Sequence, residues 1–116
     1  MKRILLVDDA SSMREDLSSA LERRGVEVHK AATGAQAIKI FKEASLDAVF
    51  LDIKLPDLNG LDVFEQLKKI DEEARVIFIT GNDNKHFQQR AAELGAERYL
   101  LKPIILGELM EIIDSL

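Results

Sequence analysis

Ala48-Val49-Phe50-Leu51-Asp52 is an apolar run that delivers one carboxylate at its end. A short apolar run without polar alternation is buried on both faces, the position of a central strand in a parallel sheet. In open α/β sheets the ligand crevice lies just outside the carboxyl ends of the strands, so Asp52 belongs in that crevice. Two further runs end in the same way: Ile4-Leu5-Leu6-Val7 leads into Asp8-Asp9, and Val76-Ile77-Phe78-Ile79 leads into Thr80. Asp8, Asp9, Asp52 and the Thr80 hydroxyl are therefore expected to meet at one sheet edge.

Between these runs the pattern turns helical, and the alternation along the chain points to βαβ units with right-handed crossovers. Ser12 and Glu15 have capping-box spacing, Met13, Leu17 and Leu21 repeat at helical intervals, and Gly25 closes the first helix. Val26-Glu27-Val28-His29-Lys30 alternates apolar and polar, which predicts a strand with one wet face at a sheet edge. Thr33 and Gln36 form a second candidate capping box before Ala37, Ile38 and Phe41. Lys54-Leu55-Pro56-Asp57-Leu58-Asn59-Gly60 is turn-rich, and Leu61, Phe64, Leu67 and Ile70 continue as a third helix. Thr80-Gly81-Asn82-Asp83-Asn84 reads as an open polar loop, and Phe87, Ala91 and Leu94 mark a fourth helix stopped by Gly95. Tyr99-Leu100-Leu101 is a short fifth strand broken by Lys102-Pro103, and Leu109, Met110, Ile112, Ile113 and Leu116 form the inner face of a fifth helix. The expectation is one doubly wound α/β domain of five parallel strands and five helices over residues 1–116.

Composition narrows the function. A chain of 116 residues, 47% hydrophobic, has material for one core. With no cysteine there is neither a disulfide nor a thiolate metal site, and a cytoplasmic home is the simplest expectation. The apolar stretch after the basic opening ends at Asp8-Asp9, too soon for a signal peptide, and no run approaches the ~18 residues of a membrane span. Sixteen Lys plus Arg against 21 Asp plus Glu leave a net charge of −5, which disfavours direct nucleic-acid contact.

Three carboxylates at neighbouring strand ends repel one another and are costly to ionise together without a cation. All the candidate ligands are hard oxygens, which favours Mg²⁺ or Mn²⁺ over zinc. Asp8-Asp9 alone would be weak evidence, because turns and helix caps use Asp freely. Lys102 also leaves a strand end and adds an ammonium to the same crevice. Cations flanking a carboxylate suit phosphoryl transfer, in which the protein positions groups and neutralises the equatorial oxygens. Asp52 can then act as nucleophile and become an acyl phosphate, or serve as a third metal ligand.

From Arg3 to Leu116 the chain resembles a receiver domain of the two-component response regulators. Asp8-Asp9 resembles that family's acidic metal-binding pair, Asp52 its phosphoacceptor, Thr80 its hydroxyl, Lys102 with Pro103 its phosphate-contacting lysine, and Tyr99 its switch aromatic. The resemblance implies a flavodoxin-like sheet of strand order 2-1-3-4-5, a metal ligand from the backbone carbonyl of Lys54, and a cis Lys102-Pro103 bond. It further implies a signalling switch rather than an enzyme on other substrates, catalysing only its own Mg²⁺-dependent phosphorylation and dephosphorylation. The implied partners are a sensor histidine kinase or histidine phosphotransfer protein and a downstream effector, and a phosphorylation-dependent dimer is one form the output can take. Ile104 stands where the family often has Phe, and Gly81 where a small residue is usual. The chain ends with its last helix, so a stand-alone regulator and a piece of a longer one are both open.

The rival readings fit less well. Aspartyl-phosphate hydrolases and phosphatases separate their two acids by one residue after the first strand, whereas Asp8 and Asp9 are adjacent. A flavin-binding protein of this fold needs a hydroxyl- and glycine-rich phosphate loop there, and Asp8-Asp9-Ala10 opposes a bare phosphate. A pure scaffold has no use for the acidic set with Lys102. His29 and His86 are expected at the surface and not as phosphodonors, Arg23-Arg24 suits a helix C-terminus, and Tyr99 could be simple edge-strand packing.

Overall fold

The computed structural model describes residues 1–81 and 83–116. Asn82 of the expected polar loop lies outside the described residues. The elements run β1 (Arg3–Val7), α1 (Ser11–Glu22), β2 (Glu27–Ala31), α2 (Gly34–Glu43), β3 (Ala48–Leu51), α3 (Gly60–Ile70), β4 (Val76–Thr80), α4 (Lys85–Glu93), β5 (Arg98–Leu101) and α5 (Leu106–Asp114). All the strand pairs are parallel and the order is β2-β1-β3-β4-β5, as the resemblance implied.

Strand side chains alternate faces, and the continuous apolar runs therefore feed two cores. Leu5, Val7, Val49, Leu51, Val76 and Phe78 pack with Ala37 of α2, Leu61, Val63, Phe64 and Leu67 of α3, and Ala91 of α4. Ile4, Leu6, Ala48, Phe50, Ile77 and Ile79 pack with Leu21 of α1 and Leu109, Ile112 and Ile113 of α5. Met110 and Leu116, placed on the inner face of the last helix by periodicity, are only partly buried at its margin.

Some helix ends follow the local sequence pattern and others depart from it. Gly25 (φ 84°) ends α1 and Gly95 (φ 93°) ends α4. In each case a six-residue closure forms, with Val26 N–H donating to Leu21 O and Ala96 N–H to Ala91 O. Val26 thus finishes the helix, and β2 begins one residue later than its alternation suggested. The Ser12–Glu15 capping box does not form. The Asp8-Asp9 turn starts α1 at Ser11, with Ala10 as an N-cap lacking a side-chain bond, and Glu15 instead pairs with Lys30 at 2.9 Å. Thr33 does cap α2, accepting from Gln36 N–H at 3.1 Å, but the return arm of Gln36 reaches Ala32 N–H rather than that of Thr33.

The expected wet face of β2 is only half wet. Val28 and His29 point to opposite faces and both are partly covered, because α1 and α2 reach the strand from either side. His29 Nε2 sits 2.9 Å from Glu27 Oε2, and His86 is exposed.

Candidate functional site

The sheet brings the acidic strand ends together through its backbone. Asp8 N–H donates to Ala31 O at 3.1 Å, and Asp52 N–H donates to Val7 O at 3.1 Å, so ladder hydrogen bonding continues up to both carboxylates. Asp8 is completely buried and Asp52 is 5% exposed, whereas Asp9 faces solvent. Asp8 Oδ1 accepts from Ala10 N–H at 2.9 Å, and its carbonyl accepts from Arg14 Nη1 at 2.7 Å. Asp52 Oδ1 accepts from Lys54 N–H at 3.3 Å, so the loop after β3 begins in contact with the carboxylate.

Lys102 closes the constellation. Its N–H donates to Thr80 O at 2.9 Å, and the Lys102-Pro103 bond is cis. Its Nζ donates to Asp8 Oδ2 at 2.7 Å and to Asp52 Oδ2 at 2.9 Å. Burial pulls the ammonium toward a lower pKa, but the hydrogen bonds it donates to Asp52 and Asp8, together with their charges, outweigh it, and the net shift is upward. Lys102 is therefore protonated throughout the neutral range. Thr80, 1% exposed, ends β4 beside an open cleft of about 460 Å³ lined by Asp9, Asp52, Lys54, Thr80, Gly81 and Asp83.

The donor set fits a small divalent cation. One carboxylate oxygen each from Asp8, Asp9 and Asp52 lie within 4.8 Å of one another. That spacing is near the ~3–4.2 Å separations of an octahedron with bonds of about 2.1 Å. One ammonium cannot balance three carboxylates, so the cluster retains charge for a cation.

Tyr99 is not level with Thr80. The register pairs Thr80 with Leu101 and Tyr99 with Phe78, so Tyr99 lies within β5 and not at its end. Its ring is half-buried, with its centroid 6.0 Å from that of Phe78. Burial, then the charges of Asp52 and Asp83, push the phenol's pKa up. Asp83 at the cleft wall, the Arg14 bond to Asp8 and the close seat of Gly60 against the Asp52 carbonyl were not singled out from sequence. For Asp83 and Gly60 the only signal was membership of polar, turn-rich loops. His29 and His86 do not line the cleft.

Comparison with known proteins agrees with this geometry. Residues 4–114 match the model of the response regulator receiver domain. The chain is 35% identical over 114 residues to the chemotaxis protein CheY of Bacillus subtilis, covering 97% of this chain and 95% of that one. It superposes on a CheY-like receiver domain protein from Methanospirillum hungatei with a TM-score of 0.94 at 30% identity, covering 99% and 92% of the two chains. It also superposes on the response regulator TrrA from Thermotoga maritima, solved in complex with Mg²⁺-BeF, with a TM-score of 0.88 at 34% identity, covering 99% and 98%. The chain belongs to the response regulator receiver domains, the phosphorylation-dependent switches of two-component signalling.

Proposed function

We propose that residues 1–116 form one receiver unit in which Asp52 accepts a phosphoryl group from a phosphohistidine of a sensor kinase or histidine phosphotransfer protein. The observation that carries this reading is Lys102 Nζ bridging Asp8 and Asp52 beside a third carboxylate in an open cleft. Asp8, Asp9, Asp52 and the Lys54 carbonyl are the proposed metal ligands, with Mg²⁺ the proposed ion; the comparisons lend no support to Mn²⁺. When bound, the ion neutralises charge on the transferred group and lets an anionic donor approach three carboxylates.

An Asp52 carboxylate oxygen attacks phosphorus, the P–N bond to the donor imidazole breaks, and the imidazole keeps the bonding pair and takes a proton. Lys102 exchanges its bond to Asp52 for a phosphoryl oxygen while holding Asp8. Thr80 donates its hydroxyl to another phosphoryl oxygen. Incubation with acetyl phosphate and Mg²⁺ should add one phosphoryl mass, mapping to Asp52. Labelling elsewhere, or none, overturns the assignment. No helix among the described residues is long and apolar enough to cross a membrane, which suits a cytoplasmic switch.

Lys54 lines the cleft beside the acceptor, and its long side chain can lie across the approach of hydrolytic water. Lys54→Ala is expected to speed dephosphorylation by about threefold to tenfold, or roughly 0.7–1.4 kcal/mol of barrier. An unchanged or slower loss of phosphate in a discontinuous assay rules out shielding.

The output passes from Thr80 to Tyr99. Phosphorylation adds roughly −1.5 to −2 charges and strong acceptor oxygens. Drawing Thr80 and the following loop toward them vacates space beside β5, and Tyr99 turns further inward over Phe78. That remodels the face of α4, β5 and α5, offering an effector or a second copy a surface whose affinity depends on state. Amide chemical shifts with and without beryllofluoride should change around Tyr99 in wild type and much less in Thr80→Ala. Equal changes in both proteins would exclude this coupling.

A further inference from the structure

We propose that Asp57 is a positioning residue of the phosphoryl-accepting site: it clamps the loop after β3 to the N-terminus of α2 and thereby holds the Lys54 backbone in place. The inference rests on the reading of Asp8, Asp9, Asp52 and the Lys54 carbonyl as metal ligands. Residues 53–59 lead directly away from the acceptor, and their backbone touches it where Lys54 N–H donates to Asp52 Oδ1. The loop ends are tied to each other. Lys54 and Asn59 form an antiparallel bridge, Gly60 N–H donates to Ile53 O at 2.6 Å, and Asn59 caps α3 through Leu61 N–H at 2.8 Å.

Asp57 supplies the remaining tie. Its Oδ1 accepts from Gly34 N–H at 2.8 Å and its Oδ2 from Ala35 N–H at 2.9 Å, the first two donors of a helix that begins far away in sequence. The bonds from Ala35 and Gly34 hold its carboxyl below the usual range, so it is charged at neutral pH. Thr33 already satisfies the third donor of α2 from the adjacent residue. A chain needing only a capped helix would not require a carboxylate from another loop.

The seat is also shaped for close approach. A Cβ on Gly34 would lie 2.8 Å from Val63 Cγ2 and 2.9 Å from Leu58 Cδ1. Glycine there lets the residue after Asp57 lie flat on the helix.

The test is Mg²⁺ binding measured directly by calorimetry, with thermal melts recorded in parallel. Asp57→Ala should weaken Mg²⁺ about 10-fold, the low end for a group acting through a ligand's surroundings. Asp57→Asn, which keeps one acceptor, should fall between. Gly34→Ala should weaken Mg²⁺ as well, with the clamp residue itself intact. Coupling is reciprocal, so Mg²⁺ should slow amide exchange at Gly34 and Ala35 in the wild type, a readout that needs no variant to fold. Wild-type binding with Asp57→Ala within twofold of it, or unaltered exchange at those amides, overturns the clamp alone. A wild type that binds no Mg²⁺ overturns the site reading and the clamp together.

Discussion

Asp52→Asn is expected to take up no phosphoryl group from acetyl phosphate and, in the absence of divalent ion, to be more stable than the parent. The first half follows from chemistry, because a neutral amide is not a nucleophile toward phosphorus, and Asp8, the other carboxylate on Lys102, is completely buried. The second half is a balance of charges. Asp52 loses its attraction to Lys102 at 2.9 Å and its repulsion from Asp8 and Asp9, whose oxygens lie within 4.8 Å. At an effective dielectric constant near 20, the lost attraction is about 6 kcal/mol and the two lost repulsions together at least about 7 kcal/mol. The difference, roughly 1 kcal/mol, raises Tm by about 4 °C. Adding Mg²⁺ should then stabilise the wild type and do far less for the variant. Labelling of the variant at another residue at the parental rate would remove Asp52 from its role, and a lower metal-free Tm would show that the Lys102 pair dominates the cluster.

Gly60→Ala is the most damaging small substitution expected in this chain. Gly60 opens α3, where alanine usually stabilises a helix by up to about 1 kcal/mol relative to glycine. Here the added methyl would overlap the Asp52 carbonyl oxygen and lie 2.8 Å from Ile53 Cα, both backbone atoms that cannot swing aside. Relief requires α3 to shift, and Leu61, Val63, Phe64 and Leu67 are all buried on it. The cost is expected near the upper end of the ~1–3 kcal/mol typical of overpacking, a fall of about 10 °C in Tm, with slower labelling because the Asp52 backbone is displaced. Gly107→Ala is the control. It too lies in a helix's first turn but meets nothing within 4 Å, and should gain roughly 0.5–1 kcal/mol. Thermal melts of the two variants should move in opposite directions, and a Gly60→Ala melt within 2 °C of the parent would show that α3 yields freely.

The site was legible because strand ends are local features. A run of β-forming apolar residues terminates where a polar residue begins, so Asp8, Asp52 and Thr80 could be placed by reading along the chain. Lys102 joined them through the break at Pro103. Asp57 was not legible as a clamp, since a turn rich in Pro, Asp and Asn explains an Asp by itself. Its partners, Gly34 and Ala35, come beside it only after α2 and α3 are packed side by side.

The sequence alone determined the succession of elements, the stops at Gly25 and Gly95, the double burial of β1, β3 and β4, and the acidic edge, since each follows from periodicity or conformational preference within a few residues. Tertiary structure decided the rest. It set Tyr99 beside Phe78, two residues back from the level of Thr80, partly covered both faces of β2, started α1 before its apparent cap and pressed Gly60 against the Asp52 carbonyl. These depend on register and on the distance of approach between elements remote in sequence, which packing fixes and no local pattern encodes.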